Sequence, residues 1–175
     1  MKFVCVATTV VLLSVGLAAQ GPAKGNTKPQ SAITVTLGSL TCSTPVGADA
    51  FNVVAWSWGA SNPADVAAGG GSGAGKVNFQ DVSVSKAFDG CSPLLLGAVA
   101  TGKHFPSLTL TQSNNDGTVT TLTLTDVLVS SWQAGGTSGS AAASENVSFA
   151  FGKVCLADGA SGTRFCFDLK ANKTV

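Results

Sequence analysis

V-S-V-S-K-A-F-D-G-C-S-P-L-L-L-G-A-V-A-T-G-K-H-F-P, running from Val82 to Pro106, decides how this chain is read. Val82 and Val84 alternate with serines, the pattern of a strand end. Asp89 and Gly90 break that alternation. Ser92 can accept hydrogen bonds from the free amides of a helix start. Pro93 fits the first helical position, where its missing N–H costs nothing. The spacing predicts a helix over Pro93 to Thr101, about nine residues and roughly 13–14 Å long, with Leu94, Leu95 and Val99 mostly buried. Gly102 suits a left-handed stop. His104-Phe-Pro106 returns the chain to an extended path. Everything else after residue 30 reads as strands. The expected fold is therefore mainly β, a barrel or sandwich with one short apolar helix laid on it.

Working outward, Ile33, Val35 and Leu37 alternate with polar partners and mark the first strand. Cys42 to Ala48 is a loop. Phe51, Val53, Val54, Trp56 and Trp58 mark the second strand. Gly59 to Gly75 is rich in Gly, Ala and Ser and has no apolar face. Val77 and Phe79 open a third strand on odd positions and Val82 and Val84 continue it on even ones, so a β-bulge is expected at Gln80-Asp81. Leu108 and Leu110 lead into Asn114-Asn115-Asp116-Gly117, a strong hairpin turn. Val119 to Ser131 pairs back, with a parity slip between Leu124 and Val127. Gln133 to Ser144 is a second Gly/Ser/Ala loop, and Val147, Phe149 and Phe151 make the next strand. In the last hairpin, aligning Cys155 with Cys166 sets Val154 against Phe167 and Leu156 against Phe165. All four apolar side chains then share the face opposite the cysteines.

The chain has 175 residues, enough for one domain with a real core. Only 11% of residues are charged, and the formal net charge is +1; an ordinary domain carries about 25% charged residues. No basic stripe exists, which argues against a nucleic-acid partner. So little charge to hold chains apart favours self-association.

Lys2, the apolar run Phe3 to Leu17 and the small residues Leu17-Ala18-Ala19 read as a secretory signal peptide over residues 1–19, too short to span a bilayer comfortably. Residues 20–30 read as a flexible arm and 31–175 as the folded domain. Cleavage leaves four cysteines, Cys42, Cys91, Cys155 and Cys166, and an even count in an exported chain favours disulfides. The hairpin register supports Cys155–Cys166. Cys42 and Cys91 are left to each other or to another chain. No C-x-x-C spacing joins the mature cysteines and His104 is the lone histidine, so no metal or cofactor is expected.

Several chemical motifs fail on context. Gly70 to Lys76, G-G-S-G-A-G-K, is close to a phosphate-binding loop, but Val77 stands where Ser or Thr belongs and a strand follows. No G-x-S-x-G occurs. His104 beside Ser107 reads as structural, and the acidic residues form no close pair. Trp56 and Trp58 could form a sugar platform; burial in the core fits them better.

Beyond these residues, the chain from about Ile33 to Val175 resembles the haemolysin-coregulated protein (Hcp) family, the tube protein of type VI secretion. The resemblance runs in order through W-S-W-G at Trp56 to Gly59, G-K-V-N-F-Q-D-V at Gly75 to Val82, and S-K-A-F-D-G-C-S-P-L-L at Ser85 to Leu95. It continues through A-T-G-K-H-F-P at Ala100 to Pro106, L-T-D-V-L-V-S-S at Leu124 to Ser131, E-N-V-S-F-A-F-G-K-V at Glu145 to Val154, and F-D-L-K-A-N-K at Phe167 to Lys173. It implies an antiparallel β-barrel with one helix, assembled as hexameric rings that stack into a hollow tube with room for cargo. It also implies a structural protein and not an enzyme. An export signal and four mature cysteines depart from the family pattern and point outside the cytoplasm.

The reading is thus a secreted structural subunit whose partner is itself, forming an extracellular tube or filament, with no membrane association once the signal is removed. Gly69, Gly70, Gly71, Gly73 and Gly75 in the first loop and Gly135 and Gly136 in the second are candidate assembly positions, because uncharged glycines let backbones approach closely. The alternatives are a type VI tube or effector carrier, and a secreted monomeric carbohydrate-binding module.

Overall fold

A computed structural model describes residues 31–62, 76–140 and 142–175. The expected signal peptide, the arm, the glycines at 69–75 and most of the phosphate-loop-like motif lie outside these residues. The strands are β1 (Ala32–Leu37), β2 (Ala50–Val53), β3 (Ala55–Ser57), β4 (Ala60–Ser61), β5 (Asn78–Phe79) and β6 (Val82–Ala87). Helix α1 (Ser92–Thr101) follows, then β7 (His104–Ser113), β8 (Val119–Gly135), β9 (Ser144–Asp158), β10 (Arg164–Asp168) and β11 (Lys173–Thr174).

All pairings among the described residues are antiparallel. β1 pairs β7, β7 pairs β8, β8 pairs β9, and the first half of β9 pairs β6. β6 then pairs β3, while β2 pairs β1. β2 and β3 are one stretch interrupted at Val54, whose N–H donates to the Ser85 carbonyl at 2.8 Å. That stretch leads from β6 back to β1, so the sheet is barrel-like, its ends brought together by continuous chain and not by a closing ladder. The second half of β9 pairs β10, and β10 pairs β11.

Alternation fills the interior as the sequence implies. Val35, Leu37, Leu108, Leu110, Leu122, Leu124, Val147 and Phe149 are fully buried. The parity slip between Leu124 and Val127 is real and is shared by three strands. Buried positions change parity from Phe105 to Leu108 in β7, from Leu124 to Val127 in β8 and from Phe149 to Val154 in β9. At that level Pro106, Asp126 and Gly152 lie side by side in the register. Asp126 has φ 55°, and a Cβ on Gly152 would stand 3.2 Å from the Asp126 Cβ. A left-handed residue reverses the pleat, and the glycine makes room for it. A separate register shift lies between Val129 and Ser131.

Several expectations are corrected. Gln80 and Asp81 are not a bulge within one strand. They join β5, which pairs β4 in a small second sheet, to β6 of the barrel, and the Gln80 N–H donates to the Gly59 carbonyl at 2.9 Å. The second loop is shorter than expected, because Gln133, Ala134 and Gly135 pair with Asn146, Glu145 and Ser144. Gly135 is therefore a strand residue. β9 is one 15-residue strand where two were expected. The helix begins at Ser92 and not at Pro93; Cys91 precedes it and no side chain caps it. The Ser92 hydroxyl instead accepts from the Asp89 N–H at 2.9 Å. Leu95 is fully buried as expected, but Leu94 is 44% exposed and Val99 only half-buried. The stop is as expected, with Gly102 at φ 63°.

Three turns are held by carboxylates. Asp116 accepts from the Thr118 N–H and hydroxyl, and Asp158 from the Ser161 hydroxyl and the Ala160 N–H. Asp168 accepts from the Ala171 N–H at 2.8 Å and pairs with Lys153 at 2.9 Å. These bonds hold all three carboxyls below the ordinary value of 3.8.

Two predictions follow from the packing. Leu95→Asp places an unpaired charge in the core and should cost at least about 3 kcal/mol, whereas Leu94→Asp should stay within about 1 kcal/mol of wild type. Urea unfolding measures both, and equal costs would contradict the helix orientation. The three carboxyls protonate more readily in the unfolded chain, so their contribution is complete above the ordinary value of 3.8 and is lost as pH falls through the lower folded values. The thermal midpoint should drop on acidification from about pH 4 downward. A midpoint flat to pH 2 would contradict this.

Candidate functional site

The V-S-V-S-K alternation that buries Val82 and Val84 also buries Lys86, and the parity of Val147 and Phe149 buries Glu145. Lys86 Nζ lies 2.6 Å from Glu145 Oε1, and both side chains are fully buried. The ammonium also pairs with Asp89 at 2.8 Å, donates to the Ala87 carbonyl at 3.0 Å and to Ser92 Oγ at 3.3 Å, and lies 5.3 Å from the Phe51 ring centre. Glu145 Oε2 accepts from Trp132 Nε1 at 3.0 Å. Asp89 Oδ1 accepts from the Cys91 N–H at 2.8 Å. One cluster thus joins β6, β8 and β9 to the first turn of α1. Reading for catalytic pairs missed it because its members are far apart in sequence; the strand parity that places both charges inside was the available signal.

The four described cysteines lie in two close pairs. Cys42 and Cys91 stand with Cα atoms 5.0 Å apart and Cys155 and Cys166 4.1 Å apart, each pair with its sulfurs at bonding distance. The last hairpin has the expected register, Val154 against Phe167 and Leu156 against Phe165. Gly90 is needed for the first contact, since a Cβ there would meet the Ser43 carbonyl oxygen at 2.5 Å.

The outer faces are rich in hydroxyls. Thr36, Thr109 and Thr123 form one transverse row that ends at Cys155 and Cys166. Thr34, Thr111 and Thr121 form the next. On the other side a groove of about 370 Å³ is lined by Ser57, Ser83, Ser85, Ser131, Asn146 and Ser148, among others. There the Ser83 and Ser148 hydroxyls bond at 2.9 Å.

Trp56 and Trp58 are half-buried and pack against the core. Trp56 Nε1 donates to Gln112 Oε1 at 2.7 Å, and Trp58 stacks on Phe79 at 5.7 Å. They do not form an open platform. His104 is exposed, with Nδ1 3.1 Å from Asp126 Oδ1. Gly136 opens the β8–β9 loop directly after β8.

This architecture defines first a class, an antiparallel β-barrel with one apolar helix locked to it by a buried ion pair. The family model for the type VI secretion system effector Hcp matches residues 24–157, and the chain belongs to that family. Protein hcp1 of Pseudomonas aeruginosa is 42% identical over 83 residues, 45% of this chain and 51% of that protein, so the aligned stretch spans about half of the relative. Among solved structures, a type six secretion system protein superposes with a TM-score of 0.71 at 24% identity, covering 83% of this chain and all of that one. Hcp1 from Salmonella typhimurium gives 0.69 at 24% identity, covering 83% of this chain and 99% of the other. These two likenesses show the shared fold.

Lys86→Met leaves Glu145 buried without its partner and should cost about 3–5 kcal/mol, whereas Lys86→Met with Glu145→Leu should recover part of that loss. A double-mutant cycle from urea unfolding measures it; strictly additive losses would contradict coupling between the two charges.

Proposed function

We propose that the chain is an exported structural subunit that forms hexameric rings, which stack into a tube or filament outside the cell. Family membership over residues 24–157 carries the reading. The ring habit, the stacking and a lumen with cargo come from the family. The low charge and hydroxylated faces of this chain suit them, because neighbours can pack without desolvating ions. The role is structural and not catalytic. The start Lys2 to Ala19 and the two cysteine pairs support export, with both pairs oxidised to disulfides. Gly69 to Gly75 and Gly136 serve as contacts between stacked rings.

The type VI injection tube is the second reading, and the family favours it if the first nineteen or so residues stay on the functional protein. The sugar-binding module loses its main support with the half-burial of Trp56 and Trp58.

Electron microscopy of the protein from culture supernatant should show rings and tubes, and shortening Gly69 to Gly75 to two glycines should leave rings but stop tube growth. A wild-type field of dispersed monomers would overturn the proposal, and long tubes from the shortened chain would remove that loop from stacking. Peptide mapping without reductant should recover Cys42–Cys91 and Cys155–Cys166; four free thiols would contradict the exported, oxidised state.

A further inference from the structure

The two cysteine pairs stand in different surroundings. Cys91 is fully buried and Cys42 nearly so, and the Ser43 carbonyl of the β1–β2 loop packs tightly on Gly90 beside them. A reagent reaches those sulfurs only when that corner opens. Cys155 and Cys166 instead lie directly opposite each other on β9 and β10, on the outer face, in line with Thr123 of β8. Both border a surface hollow of about 340 Å³, together with Arg164 and Val175. Within the pair Cys155 is the more open and Cys166 the more covered, at 9% exposure.

The hollow also sets a cation against sulfur. Arg164 Nη2 donates to Cys155 Sγ at 3.4 Å. Strand parity puts Arg164, Lys153, Asp168 and Lys173 on the same face as the two cysteines. Asp168 is taken up by Lys153 at 2.9 Å, and Arg164 makes no ion pair among the described residues. From β8 this face receives only threonines, Thr121, Thr123 and Thr125. A guanidinium beside a cysteine favours the thiolate over the thiol, and the thiolate is the reactive form. Openness and charge therefore single out the same sulfur, that of Cys155.

We propose that Cys155–Cys166 is an exchange site for small thiols, in which Cys155 takes the incoming sulfur and Cys166 resolves it. An incoming thiolate attacks Cys155 Sγ. The bond between the two cysteines breaks, and its electron pair leaves on Cys166, which takes a proton from water. Cys155 then carries the thiol as a mixed disulfide in the hollow. Cys166 returns to Cys155 and expels the thiol, or a second thiolate attacks the outer sulfur. In the second case Cys155 leaves as a thiolate beside Arg164. Two small thiols are then oxidised to one disulfide, and the protein pair is reduced by two electrons. Arg164 acts through Cys155 and is a positioning residue. Cys42–Cys91 remains structural. The proposal rests on the oxidised reading of the cysteines above and divides the two pairs by role.

The test begins with peptide mapping without reductant, which establishes that both pairs are bonded. Reduced glutathione is then added to the folded protein at neutral pH, and opened thiols are trapped with iodoacetamide and located by mass spectrometry. Cys155–Cys166 should open at least about tenfold faster than Cys42–Cys91. The trapped glutathione adduct should sit on Cys155. Cys166→Ser leaves Cys155 as a free thiol, and wild type reduced at this pair alone serves the same purpose should that variant not fold. Alkylation of Cys155 should rise with pH through a midpoint below the ordinary value of about 8.5. Arg164→Gln should return the midpoint to that value, and Arg164→Lys should keep it lowered. Equal opening of the two pairs, an adduct on Cys166, or a midpoint indifferent to Arg164→Gln would overturn the proposal. Four free thiols in the first map would instead overturn the oxidised reading on which it rests.

Discussion

The buried pair of Lys86 and Glu145 is the constraint around which the rest of this fold is arranged. Each charge sits at a position where strand alternation demands an apolar residue, between Val84 and Phe51 on one side and beside Val147 on the other. Burying either alone costs several kcal/mol, so neither position tolerates a partner that is even slightly misplaced. The ammonium is therefore surrounded by oxygen acceptors from Glu145, Asp89, Ser92 and the Ala87 carbonyl. Satisfying it forces the chain after β6 to turn back at once, bringing Asp89 and Ser92 over the barrel. The first amides of α1 are met by backbone, Ser92 N–H donating to the Asp89 carbonyl and Leu94 N–H to the Cys91 carbonyl, and Pro93 has no N–H, so α1 needs no side chain at its N-cap. The Ser92 hydroxyl, free of the capping role, ties the turn together through the Asp89 N–H.

Two further contacts reinforce this corner. Cys91 stands at bonding range from Cys42 in the β1–β2 loop, and Gly90 lets that loop approach the turn closely. Leu95 then drops into the core directly above the cluster. An isolated helix of this length is marginal in water; here ion pair, sulfur pair and buried leucine hold it against the barrel. The same arrangement leaves Leu94, Leu96 and Gly97 exposed on a rigid support.

Much of this was legible in the sequence, for specific reasons. Period-two alternation in β1, β7 and β9 reads directly as one face in and one face out. The turn Asn114 to Gly117 and the Cys155–Cys166 register follow from turn chemistry and from pairing like with like. The slip near Asp126 showed as a change of parity, although only the structure reveals that β7 and β9 change with it. Elsewhere local pattern misled. Gln80-Asp81 has the parity signature of a bulge, yet it is a junction between two sheets, because Phe79 pairs Ala60 outside the barrel. Gln133 to Gly135 look like loop residues by composition, but they pair with Asn146, Glu145 and Ser144 and extend β8. Leu94 is apolar and was expected in the core, but the helix turns Leu95 and Ala98 onto the barrel and leaves Leu94 exposed.

On the proposed reading, the rigid barrel and its helix are one subunit of a ring. Its outer faces carry hydroxyls, and the ring is the proposal that family membership supports. Native mass spectrometry of the intact folded chain is the most direct test. The account predicts a dominant species of six subunits, with smaller species appearing on dilution. A single species at one subunit mass, unchanged as concentration is raised, would contradict it.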